Sequence, residues 1–280
     1  MKKISYVLLL LIVSYSHLLQ AEELAKVTGE FQQGGLLIGQ TTAGTKVNFN
    51  GEPVLVSDSG YFVVGLARKA PNKMRIMLES QQGKKQILEE AIKQRSYSIA
   101  RVNGVADNKV NLTAADAARN TQERSLILAA RAKVRNSTEF LTGFIWPVKG
   151  RLSGEYGSQR VINGEARSPH FGVDVAMPEG TAIVAPADGV VTLVHPNMFF
   201  TGQTLMLDHG LAVTSIYAHL SKIVVAEGDV VKQGQKIGEI GMTGRATGPH
   251  LHWGVYWGDT GLDPMLLTGP MNPVNKPVAH

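Results

Sequence analysis

From Gly143 onward, short runs of aliphatic and β-branched residues alternate with glycine-bearing turns, a pattern that calls for an antiparallel β fold. The runs include Ala182-Ile183-Val184, Gly189 to Val194, Thr204 to Leu207 and Ser215-Ile216-Tyr217. Turn sequences such as Pro178-Glu179-Gly180 and Glu227-Gly228-Asp229 separate them, as expected of many short strands. The segment 22–103 reads as a second, smaller β unit. Lys46 to Phe49 runs into Asn50-Gly51 and then Val54-Leu55-Val56, and Asn-Gly suits the positive backbone angles of a tight hairpin. Tyr61 to Val64 and Arg75 to Leu78 read as further strands.

Between these two β regions the texture changes. Thr113 is placed to cap a helix that continues through Ala- and Arg-rich sequence with Leu126, Ile127 and Leu128 at its middle; Ala, Arg and Leu are good helix formers. The fold class expected is all-β: a small N-terminal β-sandwich-like domain (22–103), a helical connector (104–142) and a C-terminal antiparallel β domain (143–268). A tail with three prolines follows at 269–280.

The chain has no cysteine. Core burial rather than disulfides must hold the fold. Thiol catalysis and cysteine-liganded metal are excluded, which leaves histidine and carboxylates as metal ligands. Residues 1–21 have the layout of a secretory signal peptide, with Lys2-Lys3, an apolar run from Val7 to Val13 and a small-residue exit at Ala21. About 20 apolar residues are needed to span a bilayer, so the alternative of an uncleaved anchor is set aside. No integral membrane span is expected once the signal is removed, and the protein is expected in the periplasm or elsewhere in the cell envelope. Loss of the two lysines lowers the formal charge from +5 to +3. A mildly basic exported protein suits an anionic partner such as a cell wall. No aromatic-basic interleaving points to nucleic acid, and no protein partner is indicated.

Of the eight histidines, His17 leaves with the signal and His280 is terminal. His195, before Pro196, and His209, before Gly210, suit structural roles at turns and strand ends, with His209 also placed to support a site from behind. The other four fall in three motifs. Gly248-Pro249-His250-Leu251-His252 carries H-x-H, and residues two apart on a strand share a face about 7 Å apart. His170-Phe171-Gly172-Val173-Asp174 carries H-x-x-x-D. On a straight strand its ends would lie about 13 Å apart, so the chain must bend, and Gly172 permits that. The third is Ala218-His219-Leu220. Two neutral imidazoles and one carboxylate match catalytic zinc sites that keep a position open for water, whereas calcium or magnesium would call for more oxygen ligands.

The sequence from Trp146-Pro147 to His252 resembles the LytM/lysostaphin-type zinc endopeptidases. Besides the histidine motifs, the likeness rests on Gly154-Glu155-Tyr156-Gly157, Ala185-Pro186-Ala187-Asp188-Gly189, Gly228-Asp229-Val230-Val231-Lys232-Gln233-Gly234 and Gly241-Met242-Thr243-Gly244. Gln203 departs from the family pattern, where many members carry asparagine. The resemblance implies that His170, Asp174 and His252 hold Zn2+. It implies that His219 and His250 are the catalytic pair, their division between base and donor left open. It also implies cleavage of peptidoglycan peptides, with D-alanyl–diaminopimelate crosslinks expected and glycyl bonds as the enzymatic alternative. A non-catalytic envelope protein that binds the wall and activates a separate amidase is the rival reading. The intact set of five residues argues against it. Arg160 and Arg167, just before His170, are candidates to grip a substrate carboxylate, with plain surface solvation as the alternative. No glutamate base of the H-E-x-x-H kind is present.

Overall fold

The computed structural model describes residues 23–104 and 112–271; the expected signal peptide and the tail beyond 271 lie outside the described residues. In the N-terminal half, short turns join β1 (Ala25–Gly29), β2 (Leu36–Thr41), β3 (Lys46–Phe49), β4 (Glu52–Val54), β5 (Tyr61–Gly65), β6 (Lys73–Glu79) and β7 (Lys85–Ala91). They form two sheets, in the orders β1-β2-β5 and β4-β3-β6-β7. In β6, Met74, Ile76 and Leu78 are buried while Lys73, Arg75 and Met77 face solvent, the period-two pattern of a half-buried strand. Leu37, Phe62 and Val64 of one sheet and Val47, Ile76 and Leu78 of the other share one apolar cluster, giving a small sandwich. Asn50 and Gly51 both take positive φ, 50° and 97°, as a two-residue hairpin requires. Because that turn closes at Gly51, Glu52 already pairs with Phe49, and β4 starts two residues before the expected Val54.

The next strand, β8 (Ile99–Val102), leaves the sandwich. Helix α1 (Ala114–Ala132) follows, capped by the Thr113 side chain, which accepts from the Asp116 amide. The remaining strands are β9 (Arg151–Gly154), β10 (Gln159–Ile162), β11 (Glu165–Ala166), β12 (Val173–Ala176), β13 (Ala182–Val184), β14 (Gly189–Met198), β15 (Gly202–Asp208), β16 (Val213–Ile223), β17 (Val230–Val231), β18 (Lys236–Ile240), β19 (His250–Trp257) and β20 (Thr260–Leu262); a short helix, α2 (Pro264–Thr268), follows them. Among the described residues, the large sheet runs β17-β14-β15-β16-β19-β12-β9, with β20 on β19, and with β18 joining β13 to β16.

Two features of the assembly were not visible in the hydrophobic pattern. Strand β8 pairs in parallel with β10, which pairs with β11, so the N-terminal half supplies a strand to the C-terminal half. The two halves also share apolar packing: Leu36 and Val63 belong to the same cluster as Trp146, Tyr217, Trp253 and Leu262.

One face of the large sheet carries both α1 and the histidine motifs. Register places Asp174 opposite His252, His252 opposite Ala218, Gly254 opposite Ile216 and Tyr256 opposite Thr214, so all of these share a face. Helix α1 covers the Ile216 and Tyr256 end through Ile127 and Ala130, and the Arg131 guanidinium lies 3.4 Å from the Tyr256 ring centroid. The histidine end stays open.

Candidate metal and catalytic site

The antiparallel pairing of β12 with β19 brings Asp174 directly against His252. His170 lies just before β12 and folds back onto the same point. Its Nε2 is 3.0 Å from Asp174 Oδ1 and 3.0 Å from His252 Nδ1, and His252 Nδ1 is 2.9 Å from Asp174 Oδ1. Three potential donor atoms thus stand at the corners of one small triangle. Donors of a tetrahedral ion with bonds near 2.0–2.1 Å lie roughly 3.3 Å apart, so a few tenths of an ångström of opening would seat one ion. The His170 Nδ1–H donates to the Glu155 carbonyl at 3.0 Å, which leaves Nε2 with the lone pair. A backbone partner behind a ligand ring is the usual means of fixing its tautomer.

Two glycines make room for this triangle. A Cβ at Gly154, on β9, would overlap the Asp174 Oδ2. A Cβ at Gly172 would lie 2.8 Å from His252 Cε1 and 2.6 Å from the Trp253 carbonyl oxygen. Gly172 was expected to bend the chain through its conformational freedom. It is absent from the residues with positive φ, and what the site uses is its missing side chain.

His219 and His250 stand beside the triangle, their ring centroids 4.6 Å apart, with His219 6.4 Å from His252. His250 lies one pleat from His252 on β19, as the H-x-H spacing requires. His219 arrives by a different route. On a regular β16 it would point to the opposite face from Ala218. Between the pairs Tyr217–Leu205 and Leu220–Gln203, β16 has one residue more than β15, and His219 takes φ +65°. That bulge turns its ring onto the His252 face. Such a conformation is uncommon outside glycine and tends to occur at functional sites. The His219 amide donates to Thr201 O at 2.7 Å, and Gln203 Nε2 to Ser221 O at 3.0 Å, pinning the bulge on both sides.

Each of the two rings donates Nδ1–H to a carbonyl, His219 to Thr243 and His250 to Gly248, both at 2.8 Å. Both therefore keep Nε2 free. Burial, only partly offset by the Thr243 carbonyl, lowers the His219 pKa to about 4, so the ring is neutral and basic at neutral pH. Burial also disfavours ionised Asp174, but the hydrogen bonds and charges of His170 and His252 outweigh it and hold the carboxyl well below its usual range.

The five residues line a cavity of about 550 Å³. A second, of about 470 Å³, adjoins it and shares Ser153, Arg160, His170, Asp174 and Arg245. Arg160 and Arg245 border both cavities, Arg151 borders the first and Arg167 the second; among the described residues, Asp174 is the one carboxylate in either lining. Arg151 and Arg245 were not singled out in the sequence, where neither adjoins a histidine motif. Ser98 and Ala100, from the N-terminal half, also line the second cavity.

The other two described histidines, His195 and His209, lie elsewhere. His195 is on β14, paired with Thr204. His209 is fully buried, with Nδ1 2.6 Å from Asp188 O and Nε2 2.7 Å from Ser215 Oγ. Ser215 in turn meets the Tyr217 hydroxyl at 2.7 Å, so His209 joins the core behind the sheet.

Residues 168–264 match Peptidase family M23. A crystal structure from Pseudomonas aeruginosa assigned to peptidase M23 is 29% identical, with a TM-score of 0.66, over 86% of this chain and 96% of that one. A Haemophilus influenzae protein described as an uncharacterized metalloprotease is 37% identical over 44% of this chain and 26% of its own length. The peptidoglycan DD-endopeptidase ShyA of Vibrio cholerae is 43% identical over 38% of this chain and 24% of its own length. The match spans about a quarter of these two curated relatives. Residues 168–264 thus form a domain of Peptidase family M23.

Proposed function

We propose that this protein is a zinc-dependent endopeptidase that hydrolyses peptide bonds in peptidoglycan stem peptides or crosslinks, D-alanyl–diaminopimelate bonds foremost. The observation that carries this reading is the donor triangle of His170 Nε2, Asp174 Oδ1 and His252 Nδ1 beside the paired His219 and His250 rings. Two imidazoles and one carboxylate form the donor set of catalytic zinc sites with an open fourth position. Zinc held there would supply a Lewis acid for the scissile carbonyl and a water of lowered pKa. His219 and His250, with Nε2 free, would take a proton from the attacking water and donate to the developing charge or the leaving amine; imidazole suits both tasks at neutral pH. The work of ShyA, named as a peptidoglycan DD-endopeptidase, and the expected signal peptide favour a wall substrate and an envelope location. Among the described residues, no helix is long and apolar enough to cross a membrane.

The arginines would orient the substrate. A diaminopimelate residue presents a carboxylate next to the crosslinking amide, and guanidinium pairs well with carboxylate. Arg160→Ala and Arg245→Ala are each expected to raise KM for a carboxylate-bearing crosslinked peptide by roughly tenfold, equivalent to about 1.4 kcal/mol of binding, with a small change in kcat. Steady-state kinetics on a purified dimeric muropeptide measures this.

The deciding experiment is digestion of purified peptidoglycan by the protein, with and without a zinc chelator, followed by mass analysis. Chelator-sensitive loss of crosslinked dimers identifies the enzyme and the bond. Zinc binding without any release would reject catalysis and favour the amidase-activating alternative.

A further inference from the structure

We infer that the N-terminal sandwich is a positioning element of the metal site, acting through Arg68 and Tyr97 on the backbone segment that holds His170. This inference rests on the proposed role of His170 as a metal ligand.

His170 is held by segment 155–158 through three hydrogen bonds. Its ring donates to Glu155 O at 3.0 Å, its amide donates to Ser158 O at 2.8 Å, and its carbonyl accepts from the Gly157 amide at 2.8 Å. The orientation of the ring therefore follows wherever residues 155–158 go.

That segment is in turn fixed from the N-terminal half. Arg68, only 9% exposed, donates from Nε to Gly157 O at 2.8 Å. Its guanidinium lies 4.3 Å from the centroid of the Tyr97 ring. The Tyr97 ring lies where a Cβ of Gly157 would be, and Gly157 itself has φ +81°. Tyr97 also packs edge-on against Tyr156, with centroids 6.1 Å apart. One residue further on, the Gln159 amide donates to Ser98 O at 2.9 Å and starts the β8–β10 pairing. On the far side, Arg95 pairs with the buried Asp263 at 2.8 Å, and Tyr156 donates to Gly261 O at 2.8 Å. The segment behind His170 is thus clamped between β8 with its preceding loop and the β20–α2 corner. The Tyr97 hydroxyl is buried with no hydrogen-bond partner among the described residues, so the ring face, rather than the OH, does the clamping.

A ligand held by a fixed partner binds metal more tightly than one that must be ordered by the metal, and loss of such outer partners costs 10–100-fold in affinity. Arg68→Met keeps most of the side-chain volume and removes the donor. The test measures zinc affinity of the full chain by competition with a chromophoric chelator, on samples whose folding is verified by circular dichroism and thermal melting. Arg68→Met is expected to weaken zinc binding by about tenfold or more. The distant Arg75→Met should bind as the wild type does. If Arg68→Met fails to fold, Tyr97→Leu replaces it with the same expectation. Wild-type affinity, within about twofold, in the folded variant overturns the inference while leaving the zinc reading intact. A wild-type protein that binds no zinc overturns both.

Discussion

At the scale of single residues, the proposed function divides the five side chains between two tasks, and substitution should separate them. His170→Ala or His252→Ala removes a corner of the donor triangle and is expected to abolish zinc binding together with activity. His219→Ala and His250→Ala leave the triangle intact; zinc content should be retained while kcat falls by roughly 10²–10⁴-fold, the usual contribution of a positioned acid or base. Metal analysis of the purified variants beside their turnover checks both halves, and retained turnover in either of the latter pair would remove that residue from its role. Gly154→Ala is a subtler probe. Its Cβ would intrude on the Asp174 carboxylate, so zinc affinity should drop although no ligand has changed, with fold retained by circular dichroism.

At the scale of elements, β16 does more than its sequence announces. Its bulge at His219 converts a residue destined for one face into a neighbour of His252 on the other. Behind it, the chain from Asp188 O through His209 and Ser215 to Tyr217 ties the end of β15 to β16 within the core. Burial draws the His209 pKa down to about 4, with the Asp188 carbonyl only partly opposing this. In the unfolded chain an unperturbed His titrates near 6.5. Between those values the unfolded state binds the proton that the folded state refuses, so stability is full above about 6.5 and declines as pH falls towards 4. The whole effect is on the order of 3 kcal/mol. Urea unfolding at pH 7 and at pH 4.5 should show the decline, and His209→Gln should flatten its slope.

At the scale of the molecule, the two β halves form one packed body. Leu36 and Val63 reach into the cluster around Trp253, β8 extends the β10–β11 hairpin, and Arg95 pairs with Asp263. A fragment starting near Gly143 would uncover that cluster and release the segment behind His170. It is expected to melt at lower temperature than the full chain, bind a hydrophobic dye more strongly and show lower activity per molecule; activity raised above that of the full chain would instead mark the N-terminal half as a shield. The melting and dye measurements separate loss of fold from loss of catalysis.

The amino-acid sequence alone determined the β character of both halves, the Asn50-Gly51 hairpin, the helix opening at Thr113 and the five side chains to watch, because strand periodicity, turn chemistry and helix capping are local and written in neighbouring residues. The facing of His250 and His252 was equally legible, since a pleat has period two. Three things were decided only by tertiary structure. The bulge that redirects His219 depends on how many residues β15 sets against β16. The roles of Gly154 and Gly172 depend on which side chains approach them from other strands. Arg245 joins Arg160 and Arg167, and β8 joins β10, across separations of more than 50 residues that no local pattern encodes. Sequence fixes what each segment prefers to be, and the packing of segments against one another decides which atoms meet.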